Sequence, residues 1–449
     1  MTATTKLAPS AYDVAVADLL QLGHELHATP SHKFDLAHMR VLLRELGSPE
    51  RRFASVLIAG TNGKGSTAAT LHSILRAAGF RAGLYTSPHL IRPNERIVFD
   101  AEAISGPEFA EMHARVEQAA QDLMKTGELP WHPSFFEMLT AMAFEHFASS
   151  GVEIAVLEVG MGGRLDATNV VEPCVSVITD IALDHQNFLG NTLTEIAREK
   201  AGIIRPGGVV VTLPQHPEAN DVIGNTILER NARGVSAVPF IPPLTPKSTF
   251  ETCYELSVLG QTITVASPLI GRHQLRNLAL AIAAALELKA FGFPITPAQI
   301  EVGIRNTRWP GRFQVIPAAG DRPEIVLDVA HNPAGAWALR SALSQYYEGR
   351  PLTFIFGAMR DKAIDEIAQI LFPLAECVIA THANSPRAAG PEQICQAAEH
   401  VGAESVCEST VPAAIARSTA LASAKAHAKP VVVITGSIYI VGEALQQLA

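Results

Sequence analysis

The chain has 449 residues, 48% hydrophobic and 18% charged, with a formal net charge of −9. That length exceeds one ordinary core and implies two or three domains, while the apolar content excludes general disorder. The acidic balance excludes a nucleic-acid partner, which needs a basic face, so small anionic substrates must be met by local positive charge.

At the N-terminus, Met1 to Ser10 has no apolar signal-like core. A buried strand is predicted over Phe53 to Ala59, with Val56, Leu57 and Ile58 at its centre. Leu71, Ile74, Leu75 and Ala78 then recur at helical spacing until Gly79 stops the helix. Between strand and helix lies Gly60-Thr61-Asn62-Gly63-Lys64-Gly65-Ser66-Thr67. Glycines at such a turn let backbone N–H groups approach phosphate oxygens, and the helix N-terminus and the Lys64 ammonium add positive potential. Thr61, Asn62, Gly63, Lys64, Gly65, Ser66 and Thr67 are therefore the candidate nucleotide contacts. The spacing departs from the usual GxxxxGK-S/T loop, because only two residues separate Gly60 from Gly63 and Gly65 stands between Lys64 and Ser66.

A strand to Tyr85, a helix around Phe135 to Phe147, and strands Ile154 to Glu158, Val175 to Thr179 and Val209 to Thr212 follow. This alternation predicts a mostly parallel sheet covered by helices, an α/β fold. From Gln215 to Ser267 the rhythm breaks, with Ile241-Pro242-Pro243 reading as loop and Tyr254, Leu256 and Val258 alternating like short antiparallel strands. The segment reads as an embellishment on the first domain. The most apolar helix, Leu275 to Phe291, carries Arg276, Glu287 and Lys289, so no membrane partner and a cytoplasmic location are expected.

Asn306 to Arg312 reads as a linker. A second α/β set follows, with strands near Ile325 to Asp328, Phe354 to Phe356, Val378 to Ala380 and Val431 to Ile434, and Ala413 to Ala428 reads as a helix. The expected division is a first domain over 1–307, a linker over 308–317 and a second domain over 318–449, with the cleft between α/β domains as the favoured ligand site. Cys174, Cys253, Cys377, Cys395 and Cys407 include no CxxC pair, which implies free thiols used in core packing in a reducing compartment.

The glycine-rich loop, Thr86-Ser87-Pro88-His89-Leu90, the run Leu157 to Asn169, Asp184-His185, Trp309-Pro310-Gly311-Arg312-Phe313, Asp328-Val329-Ala330-His331-Asn332-Pro333, Asn384-Ser385-Pro386-Arg387 and Thr435-Gly436-Ser437 together resemble the folylpolyglutamate synthase and dihydrofolate synthase family of the Mur ligase superfamily. The likeness covers nearly the whole chain; Leu57 and Val329 stand where members often have His and Gly. It implies a P-loop ATPase domain of Mur ligase central type with a pterin site, followed by a smaller Rossmann-like glutamate ligase domain.

The implied reaction is ATP-dependent addition of L-glutamate to dihydropteroate, to a reduced folate, or to both. A carboxylate attacks the γ-phosphate, and the glutamate amine then displaces phosphate from the acyl phosphate. Bringing two anions together calls for dense positive charge more than a strong base, and magnesium suits this need. The resemblance places magnesium on Ser66, Ser87, Glu158 and His185. It makes Lys200 a carbamylated metal anchor, although a solvated lysine at a helix C-terminus is the local alternative. Lys64, His185, Lys200 and His331 are the implied catalytic residues. Asn277, Arg312 and Asp328 join the ATP contacts, His331 and Ser437 meet glutamate, and Phe136, Asp166 and Ala167 meet the pterin. Of Phe135 and Phe136, one is expected to serve only packing, with Phe136 the choice for stacking. A monovalent cation such as K+ and a monomeric state complete the expectation. Another Mur-type ligase, a P-loop phosphotransferase and a non-catalytic ATP-binding module stand as alternatives.

Overall fold

A computed structural model of the chain describes residues 9–23, 36–243, 252–424 and 428–448. The N-terminal reading thus falls almost wholly outside the described residues, as do three positions near the end of the Ala-rich run, which is helical over Val411–Ser423. The chain packs as two compact units, one of Met1–Ser87, Pro93–Val238 and Leu280–Gly303, the other of Pro88–Arg92, Pro239–Ala279 and Ile304–Ala449. Among the described residues no helix is long and apolar enough to cross a membrane.

The first unit is built on strands β1 (Ala54–Ala59), β2 (Ala82–Tyr85), β3 (Ile97–Phe99), β4 (Glu102–Ala103), β5 (Ile154–Glu158), β6 (Val175–Ile178), β7 (Val209–Thr212) and β8 (Arg233–Ser236). Their order is β4-β3-β2-β5-β1-β6-β7-β8. From β2 to β8 all neighbours are parallel, and only β3 and β4 pair antiparallel at one edge. Leu57 and Ala59 of β1, Ala155 and Leu157 of β5 and Ile178 of β6 share a core with Leu19, Phe109, Met138 and Phe144 from the covering helices. Val56, Ile58 and Val156, which alternate with them, are also buried, so both faces of the sheet are covered, as a parallel sheet requires.

In the second unit, β9 (Thr252–Val258) and β10 (Gln261–Ser267) form an antiparallel hairpin. Its two-residue turn, Leu259-Gly260, has positive φ at both positions (51° and 77°), the geometry that suits the twist of the flanking strands. Strands β11 (Gln314–Ile316), β12 (Glu324–Leu327), β13 (Leu352–Phe356), β14 (Cys377–Ala380), β15 (Ser405–Cys407) and β16 (Val431–Thr435) make a sheet of order β11-β12-β16-β13-β14-β15. All its pairs are parallel except β11 with β12. Residues 239–279 group with this second unit, whereas the sequence rhythm attaches them to the first. The physical reason is visible in Ile270, which packs into one core with Phe313, Val326 and Leu339.

The cysteines are free, as expected, but they depart from the core-packing part of the expectation. None is buried: Cys253 and Cys407 are exposed, and Cys174, Cys377 and Cys395 are half-buried. They stand at strand ends, on the hairpin and on a helix surface rather than inside the packed layers.

Candidate active site

The glycine-rich loop lies between β1 and the helix Lys64–Ala77. Thr61 and Asn62 each donate a backbone N–H to the Asp180 carbonyl, at 2.8 and 3.1 Å. The Thr61 hydroxyl donates to the Ala182 carbonyl at 3.0 Å and accepts from the Ala182 N–H at 3.1 Å. These bonds pin the loop to the chain leaving β6. Gly63, at φ +86°, is the N-cap of the helix and brings no side chain to its first-turn donors. Those N–H groups are therefore presented to an anion.

Gly60 is packed so closely that an added Cβ would stand 1.8 Å from Thr179 Oγ1, at a φ of +154°. Gly60→Ala is therefore expected to cost about 2–4 kcal/mol of stability, read as a lower urea midpoint at an unchanged m-value. A variant of wild-type stability would show that the loop has slack.

Two ammonium groups converge on the Gly60 carbonyl. Lys64 Nζ donates to it at 3.1 Å and to the Thr61 carbonyl at 3.3 Å, and Lys200 Nζ donates to it at 2.8 Å. Lys200, on the helix Leu193–Ala201, is buried, which excludes the solvated surface lysine that its place near a helix end allows. Its pKa is lowered from 10.5 to about 7, chiefly by burial and next by Lys64, with Asp184 and Asp166 opposing.

The run after β5 sets this lysine. A Cβ on Gly163 would meet the Glu199 and Lys200 carbonyls at 2.8 and 3.0 Å. The Arg164 backbone N–H reaches the Glu199 carbonyl at 2.8 Å, and its guanidinium donates twice to Glu199 Oε1. Sequence reading singles out neither Glu199 nor the Thr61 hydroxyl as a positioning group. The signal for the first is the glycine-rich run Gly160-Met161-Gly162-Gly163, which marks close backbone packing.

Glu158 is the last residue of β5, in register with Ile58 of β1, and is only 5% exposed. Its Oε2 accepts from the Ser87 N–H at a long 3.4 Å. Ser66 and Thr67 are buried in the first turn after the loop, and the Thr67 hydroxyl has no hydrogen-bond partner. His185 adopts a left-handed φ of +51°. Its backbone N–H donates to Asp184 Oδ1 at 2.8 Å, and its Nε2 lies 3.9 Å from Asp184 Oδ2. Among the described residues no group of three or more His, Cys, Asp and Glu side chains is gathered as a metal site. Hydroxyls with a single strand-end carboxylate fit magnesium, which keeps several waters and takes few protein ligands.

At the other candidate subsite, Ser134 caps the helix Phe135–Ser149, and Glu137 returns bonds to its N–H and hydroxyl at 2.8 and 2.7 Å. Phe135 is buried with Arg96 5.3 Å above its ring. Phe136 is half-buried, lies with its ring centroid 6.0 Å from that of Tyr85, and rests against Gly160, where a Cβ would come within 2.6 Å of it. Of the two rings, Phe136 is the one with a face to offer. The Asp166 carboxylate, by contrast, is turned into its own loop: it accepts from Met161 N–H and Thr168 N–H, each at 3.0 Å, and from the Thr168 hydroxyl. Burial raises its pKa against these bonds. Ala167 follows, buried in the first turn after that cap.

In the second unit, Asp328, His331 and Ser437 follow the ends of β12 and β16, Asn277 lies on the helix Arg272–Glu287 and Arg312 precedes β11. Asp328 is buried, accepts from the Phe313 and Ala330 N–H groups at 2.9 Å each, and has its pKa raised by burial while His273 and Arg312 pull it down. Arg312 lies 5.7 Å over the Trp309 ring. Asn277 donates to Gln274 Oε1 at 2.8 Å. The His331 Nδ1 sits 3.0 Å from the Val329 carbonyl. The Gly436 N–H donates to the Ala330 carbonyl at 3.1 Å, so the His331 and Ser437 loops run side by side. Ser437 Oγ accepts from the Tyr439 N–H at 3.1 Å.

Known proteins resemble this chain in sequence and fold. The Mur ligase middle domain family matches residues 58–285, and the Mur ligase glutamate ligase domain family matches residues 311–438. The chain is 34% identical over 426 residues to the dihydrofolate synthase/folylpolyglutamate synthase of Bacillus subtilis, covering 92% of this chain and 94% of that protein. Mycobacterium tuberculosis folylpolyglutamate synthase, solved with ADP and AMPPCP, superposes with a TM-score of 0.87 at 34% identity, over 97% of this chain and 99% of that one. E. coli FolC in complex with DHPP and ADP superposes with a TM-score of 0.82 at 30% identity, over 98% and 99% of the two chains. With both Mur ligase domains matched and this likeness running through nearly the whole length, the chain belongs to the dihydrofolate synthase/folylpolyglutamate synthase family.

Proposed function

We propose that this protein is an ATP-dependent ligase that joins L-glutamate to dihydropteroate and to reduced folates, releasing ADP and phosphate. The observation that carries the reading is the convergence of Lys64 and Lys200 on Gly60, in a loop that also presents bare helix N–H groups. The Lys64 ammonium and those N–H groups neutralise a triphosphate while an anionic carboxylate attacks its terminal phosphorus. Lys64 holds phosphate charge, and the acyl phosphate that forms is then opened by the glutamate amine, giving the amide.

Ser66, Ser87, Glu158 and His185 are the proposed holders of magnesium, which supplies charge neutralisation at the phosphates. Lys200 is proposed to react with carbon dioxide and become an anionic ligand. Its lowered pKa supports this, because only the neutral amine can add to carbon dioxide. In the second unit, Asn277, Arg312 and Asp328 are proposed nucleotide contacts, and His331 and Ser437 glutamate contacts. Taking 1–307 as the ATPase domain, 308–317 as linker and 318–449 as the ligase domain, although residues 239–279 pack with the second compact unit, belongs to the same proposal, as do a monomeric state, a cytoplasmic location and use of a monovalent cation such as K+.

The test is an assay of purified protein with ATP, magnesium and labelled glutamate, run separately with dihydropteroate and with tetrahydrofolate. Label is expected in both products, with phosphate release requiring both the pterin and glutamate. Phosphate transfer to a stable ester without glutamate would establish a phosphotransferase instead.

Phe136→Ala is expected to raise the KM for the pterin about tenfold, the worth of a stacked ring, with the KM for ATP unchanged. An equal rise in both would remove Phe136 from the pterin site.

A further inference from the structure

Cys395 lies on the helix Pro391–His400, and Cys407 ends β15, the outermost strand of the second sheet. Twelve positions apart in sequence, their sulfurs stand 2.6 Å from each other. That is inside the contact distance of two unbonded sulfurs and a short movement from a bond of about 2.05 Å. Cys407 is exposed and Cys395 half-buried, so the pair is open to a small oxidant. We propose that Cys395 and Cys407 form a reversible disulfide, making the joint between this helix and the sheet edge a redox modification site.

The chemistry needs one low-molecular-weight disulfide, such as oxidised glutathione. The Cys395 thiolate attacks one of its sulfurs, breaking the S–S bond and expelling a thiolate that takes up a proton. Cys407 then gives its proton to solvent, attacks the Cys395 sulfur of the mixed disulfide, and expels the second small thiol, which is protonated in turn. The two protein thiols lose two electrons and the small disulfide gains them. The Cys407 thiol is pushed up to about 12, by desolvation first and then by Cys395 and Glu392, which assigns it the second, resolving step. The helix so clipped follows directly on the loop that carries Asn384 to Arg387, where Arg387 is bound to Asp361 at 2.9 Å. Oxidation therefore fastens the downstream anchor of that loop.

The reduced protein is incubated with oxidised glutathione, trapped with iodoacetamide, digested and weighed. The expected result is one linked species joining the Cys395 and Cys407 peptides, lighter by two hydrogens than the two thiols and reversed by dithiothreitol. Cys395→Ser and Cys407→Ser should each abolish the link, with circular dichroism unchanged; Cys407→Ser should leave Cys395 as a glutathione adduct, whereas Cys395→Ser should leave Cys407 largely unmodified. Oxidation should raise the melting temperature of the wild type by about 2–8 °C and that of neither variant. Stable glutathione adducts on both cysteines of the wild type, or alkylation of both after oxidation, would overturn the proposal.

Discussion

Replacing Glu158 by Ala is expected to lower kcat roughly a thousandfold and to leave the urea midpoint close to that of the wild type. The carboxylate sits at the C-terminal end of β5, beside the strand that feeds the phosphate loop, where open α/β sheets gather ligands. Its Oε2 accepts from the Ser87 N–H at a long 3.4 Å, a bond whose loss costs little. What disappears is a buried negative charge beside the loop that carries the Lys64 ammonium. Glu158→Gln, which keeps the shape and an acceptor oxygen for Ser87, should be nearly as inactive, because charge rather than volume is missing. Steady-state ADP release under saturating magnesium measures the effect, and near-normal turnover in either variant would remove the proposed metal site.

Loss of Lys200 is expected to be almost as severe, with Lys200→Ala lowering kcat at least a hundredfold and recovering part of it when a short carboxylic acid such as formate is added. The acid would stand in for the carbamate oxygens; absence of any recovery, with the fold intact, would argue that the ammonium form is the working one. The same residue makes a prediction about stability. Its pKa of about 7 in the folded chain lies below the ordinary 10.5, so between those values the unfolded chain binds the proton that the folded chain has released. Stability must then rise with pH across that window and be flat below it. Urea unfolding at pH 7 and pH 9 should show the wild type gaining relative to Lys200→Met. Equal pH dependence in the two proteins would show that the buried amine keeps its proton.

The central parallel strands were legible because each is a short unbroken run of apolar residues between turn signals, as in Ile154 to Glu158 or Val431 to Ile434. The edges were not: β3, β4, β8, β11 and β15 are two to four residues long and carry too few side chains to establish a period. The allegiance of residues 239–279 depends on where Ile270 is buried, a distant contact that no local pattern encodes. In the site, the phosphate loop is legible because glycine spacing is itself the mechanism. The choice of Phe136 over Phe135 follows from helical spacing; in the structure Phe135 is buried beneath Arg96 and Phe136 is half-buried against Gly160. Lys200 is different in kind. A lysine near a helix end looks the same in sequence whether it meets solvent or, as here, the Gly60 carbonyl. The left-handed backbone of His185 is likewise only weakly signalled, since His is enriched at positive φ but most histidines do not adopt it.

Asp166 shows how a loss of activity can be misassigned. Both of its oxygens are committed to the backbone and hydroxyl of residues 161–168, so the aspartate acts as an internal brace, and what it offers an incoming molecule is the contour of the braced turn. A substitution there would depress turnover in the manner of a lost reacting group. Asparagine, able to accept at one oxygen only, would free Met161 or Thr168 and reshape the wall beside Phe136. Any deficit in such a variant reports on architecture, and a pH profile that keeps its inflections while its height falls is the mark by which the two are told apart.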